Sequence, residues 1–183
     1  MYEIRKIRSD EVEEALALAW EVFLEFEAPD YRPEGTETFR RDIVENEQFI
    51  TMCRQGVVPI YAAFIHEESG EERQDGRDGQ CAMQQADQTR GRMAGIIGMR
   101  SETHINLVFT RKEYHRKGIA TAIFRYLLAD IRQKNPAIQA VTLNASPYGK
   151  PFYIHLGFES LAEEQEKHGI RYTPMKYVIR ETE

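Results

Sequence analysis

The chain has 183 residues, of which 42% are hydrophobic and 30% charged, and its formal net charge is −6. This length predicts one domain, which can bury roughly 70% of its unfolded surface without disulfides or metals. The acidic balance argues against a nucleic-acid partner, because neutralising phosphates requires a basic face. The longest nearly apolar stretch, residues 57–65, is too short for a membrane span, which needs about 20 residues.

The two cysteines, Cys53 and Cys81, lack the paired spacing of a disulfide framework or a zinc site. The N-terminus has no apolar run after its first charges, so it does not resemble a secretory signal. We therefore expect a cytoplasmic protein with no metal and no membrane partner.

The predicted elements of the N-terminal half follow from polarity and spacing. Alternating polarity predicts strands, and apolar residues at helical spacing predict helices. Ser9 and Asp10 can cap the first helix. In chain order, the elements are a strand at residues 2–7, a helix from Val12 to before Pro29, a helix at residues 36–44 and a strand at residues 57–65.

Residues 66–92 differ in composition from both flanks. Of these 27 residues, eleven are charged, five are Gln and four are Gly. Such a segment has too little apolar surface to build a core. We predict a polar surface insertion within a single domain that spans residues 1–183. An alternative interpretation makes this insertion a dimerisation arm, and hence the protein a homodimer.

The C-terminal half predicts four further strands and two helices. Asn135-Pro136 ends the longer helix, and Gly157 caps the shorter one. The complete order indicates an α/β (α+β) fold with a run of antiparallel strands in the middle. The elements are strands at residues 93–99, 104–110, 140–144 and 175–180, and helices at residues 118–134 and 151–156.

A basic loop joins the strand at residues 104–110 to the helix that begins at Gly118. The first amides of a helix lack intrahelical partners, and the helix dipole favours an anion beside them. Lys112, Arg116 and Lys117 add positive charge. The loop therefore predicts a phosphate site, although the sequence contains neither a Walker A motif nor a Gly-x-Gly-x-x-Gly motif. The alternative is an ordinary helix start flanked by solvated basic residues.

Further motifs follow this loop at defined spacing. Residues 115–120 read His-Arg-Lys-Gly-Ile-Ala, residue 144 is Asn, and Tyr153 is followed by Gly-Phe at residues 157–158. Together they resemble the GNAT superfamily of N-acetyltransferases, in which a (Gln/Arg)-x-x-Gly-x-(Gly/Ala) loop binds the pyrophosphate of acetyl-CoA. His115 departs from the family pattern at the first position, but the backbone cradle depends chiefly on the glycine and the amides around it.

The resemblance covers the chain outside residues 66–92, and residues 169–177 resemble a bacterial branch of the family. It implies a mixed, mostly antiparallel central sheet flanked by helices. It also implies acetyl-CoA as co-substrate and no metal. The residues that it assigns to the cofactor are Val108, Phe109, Thr110, His115, Arg116, Lys117, Gly118, Ile119, Ala120, Thr121 and Asn144.

The resemblance implies that Tyr153 returns a proton to the departing sulfur, a role that suits a phenol with a pKa of about 10. The alternative role for Tyr153 is a core aromatic that packs near Gly157. For the general base we predict His104, because an imidazole with a pKa of about 6.5 can accept an ammonium proton. Strand alternation groups it on one face with Asn106, Val108 and Thr110.

His104 has an alternative role as a polar strand residue bonded to a neighbour. Glu25 and Glu27 are reserve candidates for the base, although their pattern better fits a solvated acidic face. Residues 21–47 hold nine acidic and three basic side chains. Such an acidic wall would favour a small cationic amine or a peptide amine as acceptor.

The sequence thus predicts an acetyl-CoA-dependent N-acetyltransferase that moves an acetyl group directly to a primary amine. Residues 1–92 carry 11 basic and 21 acidic side chains, whereas residues 93–183 carry 13 basic and 9 acidic ones. This split assigns the amine to the first half and the cofactor to the second. The alternative function is a non-catalytic acyl-CoA-binding or sensing module.

Overall fold

The computed structural model describes residues 2–66 and 91–180. The predicted insertion at residues 66–92 lies outside the described residues apart from its two ends. The elements are β1 Tyr2–Lys6, α1 Val12–Phe26, α2 Pro33–Phe39, α3 Glu47–Arg54, β2 Ile60–Ile65, β3 Arg92–Met99, β4 His104–Thr110, α4 Ile119–Lys134, β5 Ala140–Ala145, α5 Lys150–Leu156, β6 Glu159–Ser160, β7 Gln165–Lys167 and β8 Ile170–Val178.

The strands form one sheet in the order β1-β2-β3-β4-β5-β8-β6, and β7 pairs with β8. Of the described pairings, β4–β5 is parallel and the others are antiparallel. One side of the sheet packs on α1, α2 and α3, and the other packs on α4. The predicted fold class, a mostly antiparallel mixed sheet flanked by helices, is confirmed. None of the described helices is long and apolar enough to cross a membrane.

The two halves of the sheet meet at β4 and β5, which pair over only two positions. His104 lies opposite Thr142, and Ile105 lies opposite Leu143. Beyond these pairs the two strands separate, while β4 continues to pair with β3 as far as Thr110. The β5-facing edge of β4 therefore has no strand partner over this stretch among the described residues. A cleft opens between the diverging strands.

A β-bulge interrupts β4 at Asn106. Leu107 pairs with Gly98, but Ile105 pairs with the very next residue of β3, Met99. Asn106 is thus the extra residue of the bulge, where the ladder loses its regular alternation.

The bulge changes which side chains share a face. Ile105 packs in the core beside α4, whereas Leu107 and Phe109 pack in the core beside α1. Val108 packs on the α4 side, as Ile105 does. Strict alternation would group His104 with Val108, but the bulge puts the two side chains on opposite faces of the sheet.

Some elements differ from the sequence prediction. The helix α3, which buries only Phe49 and Cys53 fully, was not predicted from the sequence. Asn46 caps it, because its side-chain oxygen accepts a hydrogen bond from the Phe49 amide at 2.9 Å. The short strands β6 and β7 were also not predicted, since their residues are polar and exposed. The last strand begins at Ile170, five residues earlier than expected.

Glu11 stabilises the start of α1, whereas Ser9 and Asp10 were predicted to cap this helix. The Glu11 carboxylate accepts two hydrogen bonds from Arg5, each of 2.7 Å, and one from the Arg8 amide, also of 2.7 Å. Its side chain is only 2% exposed. The Arg5 hydrogen bond is the main cause that lowers the pKa of Glu11 to about 2.

Candidate active site

The cleft between the diverging strands has a volume of about 750 Å³. Its walls come from the end of α1, the end of β4, the loop before α4, the first turn of α4, and α5 with the residues just before it. The predicted site residues that line it are Val108, Phe109, Thr110, His115, Arg116, Gly118, Ile119, Ala120, Thr121 and Tyr153. The structure therefore brings most of the predicted set together.

One end of the cleft is formed by the start of α4. Gly118 has a φ of 77°, in the left-handed region that favours glycine, and it caps the helix. A Cβ added there would meet no atom within 4 Å, so the space beside the helix end is open. The first-turn amides and the helix dipole supply positive potential. This end of the cleft therefore suits an anionic group.

His115, which replaces the Gln or Arg of the family pattern, is directed back towards β4. Its Nε2 lies 2.7 Å from the main-chain oxygen of Thr110. A carbonyl oxygen only accepts, so Nε2 carries the proton and donates it. The ring also contacts Phe26, at 4.8 Å between centroids, and Phe26 in turn contacts Tyr148 at 5.1 Å. His115 therefore connects the loop before α4 to the end of β4 and to α1.

Three predicted site residues do not line the cleft. The Lys117 ammonium lies 5.4 Å from the centre of the Tyr114 ring. Asn144 is exposed on β5. His104 has its Nδ1 2.9 Å from Thr142 Oγ1, and burial is the main cause that lowers its pKa. The position of His104 reflects the bulge in β4, which could not be read from the sequence.

Tyr153 projects into the cleft from α5. It packs edge-on against Phe158, at 5.7 Å between ring centroids, and Gly157 ends the helix in the left-handed conformation. Burial raises the pKa of Tyr153 above its ordinary value, and the charge of Glu27 and the nearby Tyr31 raise it further. These effects disfavour the phenolate, so the phenol is protonated at neutral pH.

Glu27 is an acidic residue of the cleft that the sequence offered only as a reserve candidate. It directly follows α1 and is partly buried. Burial raises the pKa of its carboxyl to about 7, while hydrogen bonding to Ser146 and Tyr31 acts in the opposite direction. Ser146 Oγ accepts a hydrogen bond from the Gly149 amide at 3.1 Å, so its own hydrogen is free to be donated.

The other glutamates near the end of α1 are neutralised by cations from the segment that follows β4. Glu21 pairs with Arg111 at 2.5 Å, and Glu25 pairs with Lys112. Glu27 has no ion-pair partner within residues 2–66 and 91–180. The predicted acidic wall is thus partly neutralised, and the free carboxylate faces the cleft. In the same part of the chain, no group of three His, Cys, Asp or Glu side chains could hold a metal ion.

The sequence matches the model of the acetyltransferase (GNAT) domain over residues 27–179. The chain therefore belongs to the GNAT acetyltransferase family, whose members use acetyl-CoA. No curated protein matches the sequence. The family match agrees with the resemblance drawn from the loop motif.

Solved structures with the same fold cover nearly the whole chain. A GCN5-related N-acetyltransferase from Rhodopseudomonas palustris is 13% identical, with a TM-score of 0.69, over 97% of this chain and 95% of its own. The PaiA N-acetyltransferase from Thermoplasma acidophilum, solved with coenzyme A, is 18% identical, with a TM-score of 0.67, over 97% and 99%. Ard1 from Thermoplasma volcanium is 14% identical, with a TM-score of 0.56, over 98% and 99%. These likenesses establish the shared fold.

Proposed function

We propose that this protein is an N-acetyltransferase that moves the acetyl group of acetyl-CoA directly to a primary amine. The observation that carries this proposal is one cleft that combines an open helix N-terminus, a strand edge without a partner among the described residues, a phenol and a carboxyl group. Transfer of an acetyl group from acetyl-CoA to an amine can use each of these four parts. Bound acetyl-CoA supplies the activated thioester carbonyl.

Different residues would bind the different parts of acetyl-CoA. Gly118 and the first-turn amides of α4 would hold the pyrophosphate. The edge of β4 at Val108, Phe109 and Thr110 has no strand partner on its β5 side among the described residues, and its main-chain groups that face away from β3 would bind the pantetheine arm and the acyl oxygen. The Thr110 carbonyl is not one of these groups, because it already accepts a hydrogen bond from His115. Donors fixed in a water-poor cleft stabilise a developing negative charge without reorganising.

Tyr153 is the proposed proton donor to the sulfur as the C–S bond breaks. Its place in the lining of the cleft supports this role, and a phenol with an ordinary pKa of about 10 is already protonated at neutral pH. Direct transfer is supported by the lining of the cleft, which contains no cysteine among residues 2–66 and 91–180. Cys53 lies in the core beside α1, and burial raises the pKa of its thiol to about 11, so it is a poor acyl carrier.

The proposal is tested by measuring thiol release from acetyl-CoA with a panel of amines that includes polyamines, amino sugars and peptide N-termini. We expect thiol and acetylated amine in equal amounts. Tyr153→Phe should lower kcat by about 100-fold or more and leave the Kd for CoA unchanged. Tyr126→Phe, an exposed tyrosine on α4, is the control. Tight CoA binding without turnover on any amine would instead support the acyl-CoA-sensing alternative.

A further inference from the structure

We infer that Glu27 forms the ion pair that holds the acceptor's ammonium group in the cleft and then accepts the proton that this group must lose. The inference rests on the proposed function and deepens it. It restricts the acceptor to compounds that present an unsubstituted ammonium group, and it assigns the role of base to the end of α1.

The first support is the position of Glu27 among the other groups of the cleft. It lines the same cleft as Tyr153 and the edge of β4. Its charge is close enough to Tyr153 to raise the pKa of that phenol. An acceptor held by Glu27 would therefore lie beside both the proton donor and the unpaired main-chain groups.

The second support is the missing countercharge. Glu21 and Glu25, on the same helix, each pair with a cation, but Glu27 faces the cleft without one among the described residues. A partly desolvated carboxylate with no cation is costly to ionise. An ammonium substrate supplies the missing charge and removes that cost, so the site is complementary to a cation.

The third support is a pair of hydroxyl groups near the carboxyl group. Ser146 is buried after β5, and Tyr31 lies in the turn after α1, where its ring packs 5.8 Å from that of Phe23. Both act to lower the pKa of Glu27, against the larger effect of burial. They therefore favour the ionised form of the carboxyl group, which is the form that a base needs.

The proton balance of the proposed step is complete. Glu27 takes one proton from the ammonium group, and the resulting amine forms the N–C bond as the C–S bond breaks. Tyr153 gives its proton to the sulfur, and the second proton that the nitrogen loses replaces it. Glu27 finally releases its proton to water. No oxidant, reductant or metal is required.

Among the ionisable side chains that line the cleft, Glu27 is the carboxyl group. His115 is committed to the Thr110 carbonyl. Asp30 acts on Glu27 only as a nearby negative charge. The remaining ionisable groups of the lining are Tyr114, Arg116, Tyr148, Tyr153 and His155. Among all these groups, Glu27 is the carboxyl in the cleft that can lose its proton near neutral pH and then accept another.

The test compares Glu27→Gln with Glu25→Gln, two changes of the same type two residues apart. Thiol release would be measured with an amine that the wild type accepts, at pH values from roughly 5.5 to 9.5. This range covers the titration of a carboxyl group with a raised pKa and approaches that of an amine. We expect kcat/KM of Glu27→Gln to fall by about 100-fold or more at pH 7, with loss of the rise in rate that the wild type shows through about pH 7. Glu25→Gln should keep the wild-type profile.

Calorimetric CoA binding and a thermal melt accompany the kinetics, so that a folding defect is visible. Wild-type kinetics in folded Glu27→Gln would overturn the inference and leave the proposed function standing. Absence of thiol release by the wild type with every amine would overturn both. If Glu27→Gln does not fold, Glu27→Asp decides: this variant keeps a carboxylate, and loss of the rise through neutral pH would contradict the assignment.

Discussion

Gly35, in α2, lies so close to Gly169, in the turn between β7 and β8, that a Cβ on Gly35 would be 2.2 Å from the Gly169 carbonyl oxygen. One turn further along, Thr38 Oγ1 donates a hydrogen bond to the His168 carbonyl at 3.0 Å. These contacts fix α2 against the C-terminal hairpin. They also fix the turn between α1 and α2, which directly follows Glu27.

Gly35→Ala should therefore lower both stability and amine binding. The new methyl group must displace backbone on one side, and we expect a loss of about 3 kcal/mol in the free energy of unfolding. The KM for the amine should rise while the Kd for CoA stays unchanged. Gly56→Ala is the control for backbone strain: its φ is 72° and no atom lies within 4 Å of the added methyl, so about 1 kcal/mol is expected. Equal losses in urea denaturation would contradict the predicted clash.

Glu11→Gln should destabilise the protein strongly at neutral pH. The change removes the negative partner of a buried ion pair and leaves the Arg5 guanidinium without a countercharge, at a cost of about 3 kcal/mol. Because the folded-state pKa of Glu11 is lowered to about 2 from 4.5, its contribution is present above about pH 4.5 and is lost as the pH falls towards 2.

The difference between the wild type and Glu11→Gln should therefore shrink over that acidic range. Glu13→Gln provides the comparison, since Glu13 makes an exposed ion pair with Arg54 that is worth less than about 1 kcal/mol. A pH-independent difference would show that the lost stability has another source.

Glu27→Gln should have the opposite pH dependence of stability. The folded-state pKa of Glu27 is raised to about 7 from 4.5, so the wild type loses stability as the pH rises between these values. At pH 8, without ligand, the variant should exceed the wild type by on the order of 2 kcal/mol, allowing for partial exposure. The gain should vanish near pH 4.5. Denaturation curves at the two pH values measure it, and a less stable variant at pH 8 would refute the argument.

His115→Ala should weaken CoA binding by about tenfold, because the loop before α4 loses its hydrogen bond to the Thr110 carbonyl. His115→Gln should retain most of the affinity, since an amide can donate the same bond. Calorimetry distinguishes the two variants. Equal affinities for His115→Ala and the wild type would mean that the loop holds its shape without this contact.

The sequence predicted the bounds of β4 and α4 well, because both have strong apolar periodicity and clear signals at their ends. Asn135-Pro136 stops α4 where expected, since proline cannot continue a helix. The helix α3 was not predicted, because only Phe49 and Cys53 are fully buried and its remaining pattern does not favour a helix over a loop. Short polar strands such as β6 depend on pairing with β8, which local sequence does not encode.

The conformation of the loop before α4 could be predicted because it follows from a local motif around Gly118. The distinct environment of Glu27 could not be predicted. Glu21, Glu25 and Glu27 are chemically alike and lie on one short stretch, and they differ only in what the folded chain brings to them. The cations that neutralise the first two lie 90 and 87 residues away in the sequence. Burial and missing countercharge at Glu27 are properties of the tertiary structure.

The separation of β4 from β5 bears on how this site would be studied and how it changes in evolution. An alanine scan through Val108, Phe109 and Thr110 would leave every amide and carbonyl of that edge in place, and it would report only the packing of the three side chains. Only a change to the chain itself, such as proline or a backbone ester, removes those groups. An edge of main-chain groups of this kind is inherited with the topology, so it can persist while the side chains around it are exchanged.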